Sequence, residues 1–504
     1  MKYKRLPSLA YNRLSVAGAL IAMTALLAIV FIFAITLLTR TMNPYVGIIL
    51  FLVLPVFLVL GALMVPAGMF RRWRRQKRGE EVYHEWPSID LNVKQERNAA
   101  MLFISGGAVF VLLSSVGVYR TYQYTESVPF CGLVCHTVMK PEYTTFKHSP
   151  HARLKCVQCH IGPGAGWYTK AKLTGLYQVY AVLANIYPRP IPTPIKSLRP
   201  VETDCEQCHW PGAFSGEKMI SFVHYLYNRT NTRWAIVLLF NTGGANPAGP
   251  LKAGIHWHAD PDVKVEYIAT DRQRQVIPWV RFADRKTGRI AVYRDVTRPL
   301  SKKEVLTAKK RVMDCIGCHN VPSHKFRSPG QAIDAALADG RINASIPEIK
   351  RIAVEAMVGG YASGADARRL IPDRITGFYR SRYPAFFRAH GALIENAVAA
   401  TRRAYRNSIF PEMKAKWSEY PDNLGHFIYR GCMRCHDGNH RSADGGVIPS
   451  GCNTCHVILY QGSSLAPAEC PNLSEGVPFR HPVDIGGSWK TVPCYDCHKG
   501  ARPR

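Results

Sequence analysis

The sequence predicts a chain in two parts: three N-terminal transmembrane helices, then a mainly α-helical and otherwise irregular exported domain with a small β-rich insertion. Two patterns in the 504 residues carry that expectation. Three long uncharged runs open the chain, and the 15 cysteines behind them are strongly patterned. A formal charge of +30 would by itself suggest nucleic acid. The apolar share of 47% is too high for a disordered chain, and it is concentrated near the N-terminus.

The three runs are residues 14–38, 45–70 and 99–119, of 25, 26 and 21 residues. Each is long enough to cross a hydrocarbon core of about 30 Å as a helix. Lys2, Lys4, Arg5 and Arg13 precede the first run, and Arg71, Arg72, Arg74, Arg75, Lys77 and Arg78 follow the second, with little more than Arg40 between the two runs. Basic residues stay on the cytoplasmic side. The N-terminus and the 71–98 loop are therefore expected inside, and everything after about Arg120 outside. The first run is too long for a signal-peptide core and no A-x-A cleavage site follows it, so it is expected to remain as an anchor. Residues 1–120 form the membrane domain in this reading.

Fourteen of the cysteines fall into seven pairs, each followed directly by His. Six are C-x-x-C-H: Cys156/Cys159/His160, Cys205/Cys208/His209, Cys315/Cys318/His319, Cys432/Cys435/His436, Cys452/Cys455/His456 and Cys494/Cys497/His498. The first pair is one residue wider, Cys131 and Cys135 before His136. C-x-x-C-H is the c-type haem attachment sequence: two thioethers hold the porphyrin and the adjacent His reaches the iron. Zinc or disulfide pairing would not require His after every pair. The exported part thus reads as a periplasmic multihaem cytochrome c domain with seven covalently bound haem c groups. Cys470 is left over and reads as a buried or solvent thiol.

A six-coordinate haem needs a second axial ligand. Of the 18 His, seven sit in motifs and His84 lies in the cytoplasmic loop. The exported candidates are His148, His151, His224, His256, His258, His324, His426, His440 and His481, with Met139 close to the first motif. His390 follows an aromatic helical run and reads as packing. His256 and His258 alternate along an expected strand and face one side. A ligand just outside its own motif often cannot fold back to the opposite porphyrin face. His148, His324, His426 and His481 are therefore expected, in some cases, to serve a neighbouring haem. The supply of ligands argues for electron transfer rather than substrate reduction.

The charge agrees. Residues 101–504 carry 52 basic and 30 acidic side chains. Seven haems with two propionates each would lower that excess to about +8, with Lys and Arg pairing to propionates. The reading includes no nucleic acid.

Haems one to three lie in residues 121–210. Residues 211–312 form the β-rich insertion, with strands at 263–268, 275–282 and 289–294 and a turn at 284–288. The fourth haem occupies 313–328. Residues 329–418 show helical periodicity, with helix starts at Ser328-Pro329 and near Pro347-Glu348. Residues 419–504, Gly/Pro-rich and of little regular structure, carry haems five to seven.

A membrane span running straight into a wide first motif, with a second motif some 20 residues on, resembles the NapC/NirT family of membrane-anchored quinol-dehydrogenase cytochromes. The similar stretch is about residues 100–212. Its carriers are Phe130 and Cys131 to His136, Met139, Phe146 to His148, Cys156 to His160, Lys170, Lys172 and Cys205 to Trp210. The longer pattern of three spans and seven motifs looks like the heptahaem ImcH-type inner-membrane cytochromes of metal-respiring bacteria. The resemblance implies that the first haem takes electrons from quinol at the membrane face. It also implies that a Lys on the helix after the second motif, here Lys170 or Lys172, lies near the quinol. The family has one span where this chain has three, and its Met stands two residues after the first motif His where Met139 stands three after. Some members carry an acid near the quinol. Here Glu142 is the only Asp or Glu between Lys140 and Glu202, so it is the candidate proton acceptor.

The function expected is an electron conduit in the bacterial inner membrane. It would pass electrons between menaquinol or another quinone and a periplasmic cytochrome acceptor, with other membrane subunits as further partners beside the lipid bilayer. The alternatives are a terminal reductase of the nitrite or hydroxylamine type, which needs an open iron, and an electron-transfer subunit of a larger membrane complex.

Overall fold

The computed structural model describes residues 9, 12–39, 53–79, 90–134, 136–162, 164–195, 200–209, 216–243, 254–464 and 475–501. Cys135, Trp210, His84, Cys470, and 45–52 of the second apolar run lie outside the described residues, as do the side chains of His136 and Lys172. The chain divides into two compact units. One comprises residues 1–130 and 156–180, the other 131–155 and 181–504. The stretch 121–210, expected as one domain with three haems, is thus shared between them.

In the first unit, the first run forms α1 (Arg13–Thr39) and the second forms α2 (Leu54–Lys77). Both are long and apolar enough to cross a membrane. The third run lies within α3 (Lys94–Thr125), a helix of 32 residues, about 48 Å long at 1.5 Å per residue. Small residues bring α1 and α2 together. A Cβ on Gly61 would stand 2.6 Å from both the Ala22 nitrogen and the Gly18 carbonyl oxygen. The buried Ser15 hydroxyl donates to the Val65 carbonyl at 2.8 Å. Small side chains permit this backbone approach where the surrounding lipid gives no hydrophobic drive to associate. At the end of α2, Arg74 lies over Phe70 and Lys77 over Trp73, an aromatic and basic girdle of the kind found at membrane interfaces. The unit also holds the one-turn helix α4 (Cys156–His160) and most of α5 (Ala165–Leu183).

The second unit contains two antiparallel sheets and a helical module. The five-stranded sheet has the order β6-β3-β4-β5-β7, and the other the order β1-β2-β8. The expected strands appear as β3 (Val263–Ile268), β4 (Trp279–Asp284) and β5 (Ile290–Asp295), with the turn at 284–288 between the last two. The longest hairpin, β1 (Gly216–Tyr225) and β2 (Arg233–Gly243), was not among the expected strands. The insertion ends in β6 (Arg311–Val312), and the sheets extend beyond it through β7 (His440–Ser442) and β8 (His456–Gly462) from the C-terminal region.

The helical module is α6 (Pro329–Ala338), α7 (Ile349–Met357), α8 (Gly364–Arg382), α9 (Pro384–Ala389) and α10 (Gly391–Ser408). Ser328 caps α6 in a reciprocal box with Gln331, and Pro329 opens its first turn. Ile333, Ile346, Ile349, Ile371, Ile375, Tyr379 and Ile394 are fully buried here. This core belongs to a segment with no haem motif. The motif segments, by contrast, carry little apolar core of their own.

Candidate haem centres

Most of the motifs are single tight turns. Residues 156–160, 315–318 and 494–497 are short α-helices, while 431–434 and 452–454 are 3-10 turns. A turn places cysteines three apart on one face. The following His closes back on the first Cys: the amides of His209, His319, His436 and His498 donate to the carbonyls of Cys205, Cys315, Cys432 and Cys494 at 2.8, 2.6, 3.1 and 2.8 Å. The wide first motif begins instead in a π turn, Phe130–Val134. A π turn absorbs one residue more than an α turn, so the extra residue need not displace His136, which opens a further helix, α11 (His136–Lys147). Gly132 is required inside this turn, since a Cβ there would collide with the Tyr143 ring.

Cys159 was expected in one domain with the first and third motifs. It belongs instead, with Cys156, to the first unit, on the α4 turn that leads into α5, while Cys131, Cys205 and Cys208 belong to the second. The helix before Cys208, Val201–Asp204, ends ahead of the motif, and Cys205 to Cys208 form an open turn closed by the Cys208 amide on the Cys205 carbonyl at 3.2 Å. Cys208 is exposed, as are Cys452 and Cys497, whereas Cys159 and the other described motif cysteines are half-buried.

Five motif histidines face a second imidazole across a gap. The ring centres are 6.0 Å apart for His151 and His209, 6.3 Å for His256 and His319, and 5.9 Å for His258 and His436. They are 6.2 Å apart both for His426 and His456 and for His481 and His498. An iron bound to two imidazoles at about 2.0–2.1 Å, each ring centre lying about 1.1 Å beyond its nitrogen, separates the centres by about 6.2–6.4 Å. These side chains therefore fit a bis-imidazole haem iron. Metal-bound His usually donates its other nitrogen to a carbonyl or carboxylate. His258 Nδ1 donates to the Ile255 carbonyl at 2.9 Å, His436 Nδ1 to Pro449 at 2.7 Å, His481 Nδ1 to Val483 at 2.6 Å, and His256 Nδ1 to the Thr242 carbonyl. Among the described residues no group of three or more His, Cys, Asp or Glu side chains gathers as a zinc site would.

Several ligand expectations change as well. His256 and His258 lie on a 3-10 turn, Ile255–Ala259, not a strand. At three residues per turn, side chains two apart diverge by about 120°, so the two rings meet different motifs. His440 is corrected from ligand to structural residue. It is 1% exposed, and both ring nitrogens are engaged, Nδ1 with Asp437 at 2.9 Å and Nε2 with the Ile277 carbonyl at 2.7 Å. Burial opposes its protonation, but these hydrogen bonds prevail and raise its pKa. His426 and His151 pass over their nearest motif to meet the next one, whereas His481 meets its nearest. His224 Nδ1 approaches Asp334 at 3.3 Å. His324 donates from Nδ1 to the Glu142 carbonyl at 3.0 Å, the hydrogen-bond pattern of a ligand, whereas His148 engages both ring nitrogens, Nδ1 with the Thr144 carbonyl at 2.8 Å and Nε2 with Asn407 Nδ2 at 3.4 Å. His390 packs on Phe386 with ring centres 4.5 Å apart, as expected of a packing residue.

Two residues that the sequence reading passed over tie the fourth and fifth motifs together. Arg434, inside the fifth motif and 5% exposed, donates to the Gly317 carbonyl in the fourth at 3.0 Å and to Arg274 at 3.1 Å. Asn423 Nδ2 donates to the same Gly317 oxygen at 2.9 Å. A basic residue between motif cysteines was the available signal.

Of the quinol candidates, Lys170 lies on α5 with Nζ 5.1 Å from the Trp167 ring centre. Met139 and Glu142 lie on α11, one and nearly two turns beyond His136. Glu142 Oε2 is buried without a hydrogen-bond partner, and burial pushes this carboxyl up to about 7.

Apolar membrane helices joined to repeated haem-attachment turns define a membrane-anchored, multihaem c-type cytochrome. The chain belongs to the NapC/NirT cytochrome c family, whose N-terminal region matches residues 93–190. That match takes in Cys159 and stops short of Cys208. The chain is 41% identical over 496 residues to the cytochrome c-type protein ImcH of Geobacter sulfurreducens, covering 97% of this chain and 96% of that one. The cytochrome c-type protein NrfH of Wolinella succinogenes is 30% identical over 116 residues, 22% of this chain and 63% of that protein. No solved structure matches the chain.

Proposed function

We propose that the chain is a seven-haem quinol dehydrogenase. It sits in the bacterial inner membrane with its N-terminus cytoplasmic and its haem domain periplasmic, and α3 is its third span. The observation that carries this reading is the set of five facing imidazole pairs. A conduit needs irons closed on both faces, whereas a terminal reductase needs one left open. Haem c supplies one-electron iron couples when bound. All seven cysteine pairs would carry the thioethers, Cys156/Cys159 and Cys205/Cys208 among them. His209, His319, His436, His456 and His498 would be the proximal ligands in the described pairs, with His151, His256, His258, His426 and His481 opposite them. His136 and His160 would be proximal at the first two motifs, and Met139, His148 and His324 remain as further distal candidates.

At the membrane face the chain must hold a quinol and remove its protons. Lys170 or Lys172 offers an ammonium to the quinol oxygen, where it holds a developing anion. Glu142 offers a carboxylate with an open oxygen to take a proton. Electrons would leave toward a periplasmic cytochrome.

The test uses full-length holoprotein in detergent, reduced by menaquinol and ubiquinol analogues and, separately, by dithionite. The Lys170→Ala/Lys172→Ala double variant should slow quinol-driven reduction at least tenfold, and Glu142→Gln should slow it as well. Dithionite, which needs no quinol site, should reduce every variant as before. Unchanged quinol rates in both variants would move the site to α1 and α2 or to a partner subunit.

A further inference from the structure

The helical module carries no haem motif, yet it buries a charge cluster beside the last one. Lys350 on α7 and Asp334 on α6 have side chains 4% and 8% exposed, with Nζ 2.6 Å from Oδ1. Lys350 also donates to the Tyr225 carbonyl, and its Nζ lies 4.5 Å from the Tyr227 ring centre. Asp334 Oδ1 accepts from the Tyr225 amide at 3.0 Å, and its Oδ2 faces His224 Nδ1 at 3.3 Å. Three elements, β1, α6 and α7, therefore contribute to one chain of charge. Burying an ion pair is expensive, and a well-packed apolar pair is often no less stable. Stability alone is thus a weak reason for this one.

The chain points at the seventh motif. The His224 ring centre lies 5.3 Å from that of Phe427, which in turn lies 4.4 Å from that of His498. The segment after the motif is fastened to the same module. The Gly330 amide donates to the Gly500 carbonyl at 2.9 Å, the Tyr227 hydroxyl to Ala501 at 3.2 Å, and Trp417 Nε1 to Lys499 at 2.8 Å. The other nearby ion pair, Lys499 with Asp496 at 3.6 Å, is solvent-exposed.

We propose that His224, Asp334 and Lys350 are positioning residues that set the reduction potential of the haem held by Cys494, Cys497 and His498. Adding an electron to that haem is favoured by positive charge nearby and opposed by negative charge. In the native chain Lys350 offsets Asp334. Asp334→Asn leaves the ammonium uncompensated and raises the potential. Lys350→Met leaves the carboxylate uncompensated and lowers it. A merely structural role predicts no opposition of sign.

The inference rests on the proposed pairing of His481 with His498 at one iron, so that pairing is tested first. In holoprotein, His481→Ala should convert one haem from low- to high-spin and thereby identify its spectral signal. That signal is then followed by redox titration in the unaltered protein and in the two variants. The expected displacement is about tenfold in the reduction equilibrium, 59 mV for one electron, upward in Asp334→Asn and downward in Lys350→Met. Failure of His481→Ala to produce a high-spin haem would overturn the pairing, and the inference with it. If His481→Ala behaves as expected, an Asp334→Asn potential that is unmoved or lowered, or shifts of one sign in both variants, would overturn the inference alone. Asp334→Asn is near-isosteric, so it decides the matter even if Lys350→Met does not fold.

Discussion

His258→Ala should alter one class of haem and spare another. The imidazole planes of the five pairs fall into distinct sets. His256/His319 and His426/His456 are near-parallel, at 7° and 11°. His151/His209 and His258/His436 are near-perpendicular, at 86° and 80°, and His481/His498 lies between at 37°. Each imidazole raises the iron d orbital that its π system meets. Parallel rings raise the same orbital and split the pair, giving a rhombic low-spin signal in electron paramagnetic resonance. Perpendicular rings raise one orbital each and leave them nearly degenerate, giving a signal with a large principal g value. If the two rings share an iron as proposed, removing His258 would leave His436 as its sole imidazole and favour a high-spin state. Spin quantitation on oxidised holoprotein should therefore show one haem per chain moving from the large-g to the high-spin signal, with the rhombic signals intact. His256→Ala, two residues away on the same turn, should instead deplete the rhombic signal. If His258→Ala reduced the rhombic signal, or yielded no high-spin haem, the separation of these two rings onto different irons would be wrong.

His440→Ala should leave the number of low-spin haems unchanged while destabilising the domain by about 2–4 kcal/mol. It leaves a carboxylate and a buried carbonyl without their donors, and the loss would be read from the denaturant midpoint of the holoprotein. A pyridine haemochrome assay should give seven haems per chain, falling to six in the Cys131→Ala/Cys135→Ala double variant. Six in the unaltered protein would remove the π-turn motif from the haem-bearing set.

What was legible in the sequence is what is local. Two cysteines three apart and the His after them form one turn, so each regular motif could be read directly. The setting of each turn was not: spacing alone makes Cys159 and Cys208 equivalent, and only the fold sets Cys159 on a helical turn and ends the helix before Cys208 ahead of its motif. The strands at 263–268 and 290–295 alternate, and Ser328-Pro329 is a cap written in two residues. The second ligands are tertiary. His440 stands four residues beyond His436, nearer a motif than any pairing His found, yet its nitrogens serve Asp437 and Ile277, the latter 163 residues away. His258 meets a motif with another lying between them in sequence. The His-Trp-His alternation imitated a strand because a two-residue period cannot be distinguished in so short a stretch. The unbroken apolar run from Ala235 to Phe240 hid β2, since such a run fits a buried helix as well as a strand.

In all five facing pairs the distal imidazole comes earlier in the chain than its motif. The closures run from 17 residues, between His481 and His498, to 178, between His258 and His436. A chain threaded outward from its N-terminus would present each waiting imidazole before the cysteines that need it, so completion of an iron site could follow the order of export. Each closed site would also be a cross-link, excluding conformations of the unfolded chain as a disulfide does. The long closure at His258 encloses the shorter one from His426 up to the fifth motif only in part. The two loops interlock through residues 426–436, so neither segment could unravel without releasing an iron. In residues 419–501, where apolar packing is sparse, folding and cofactor loading would then be a single event.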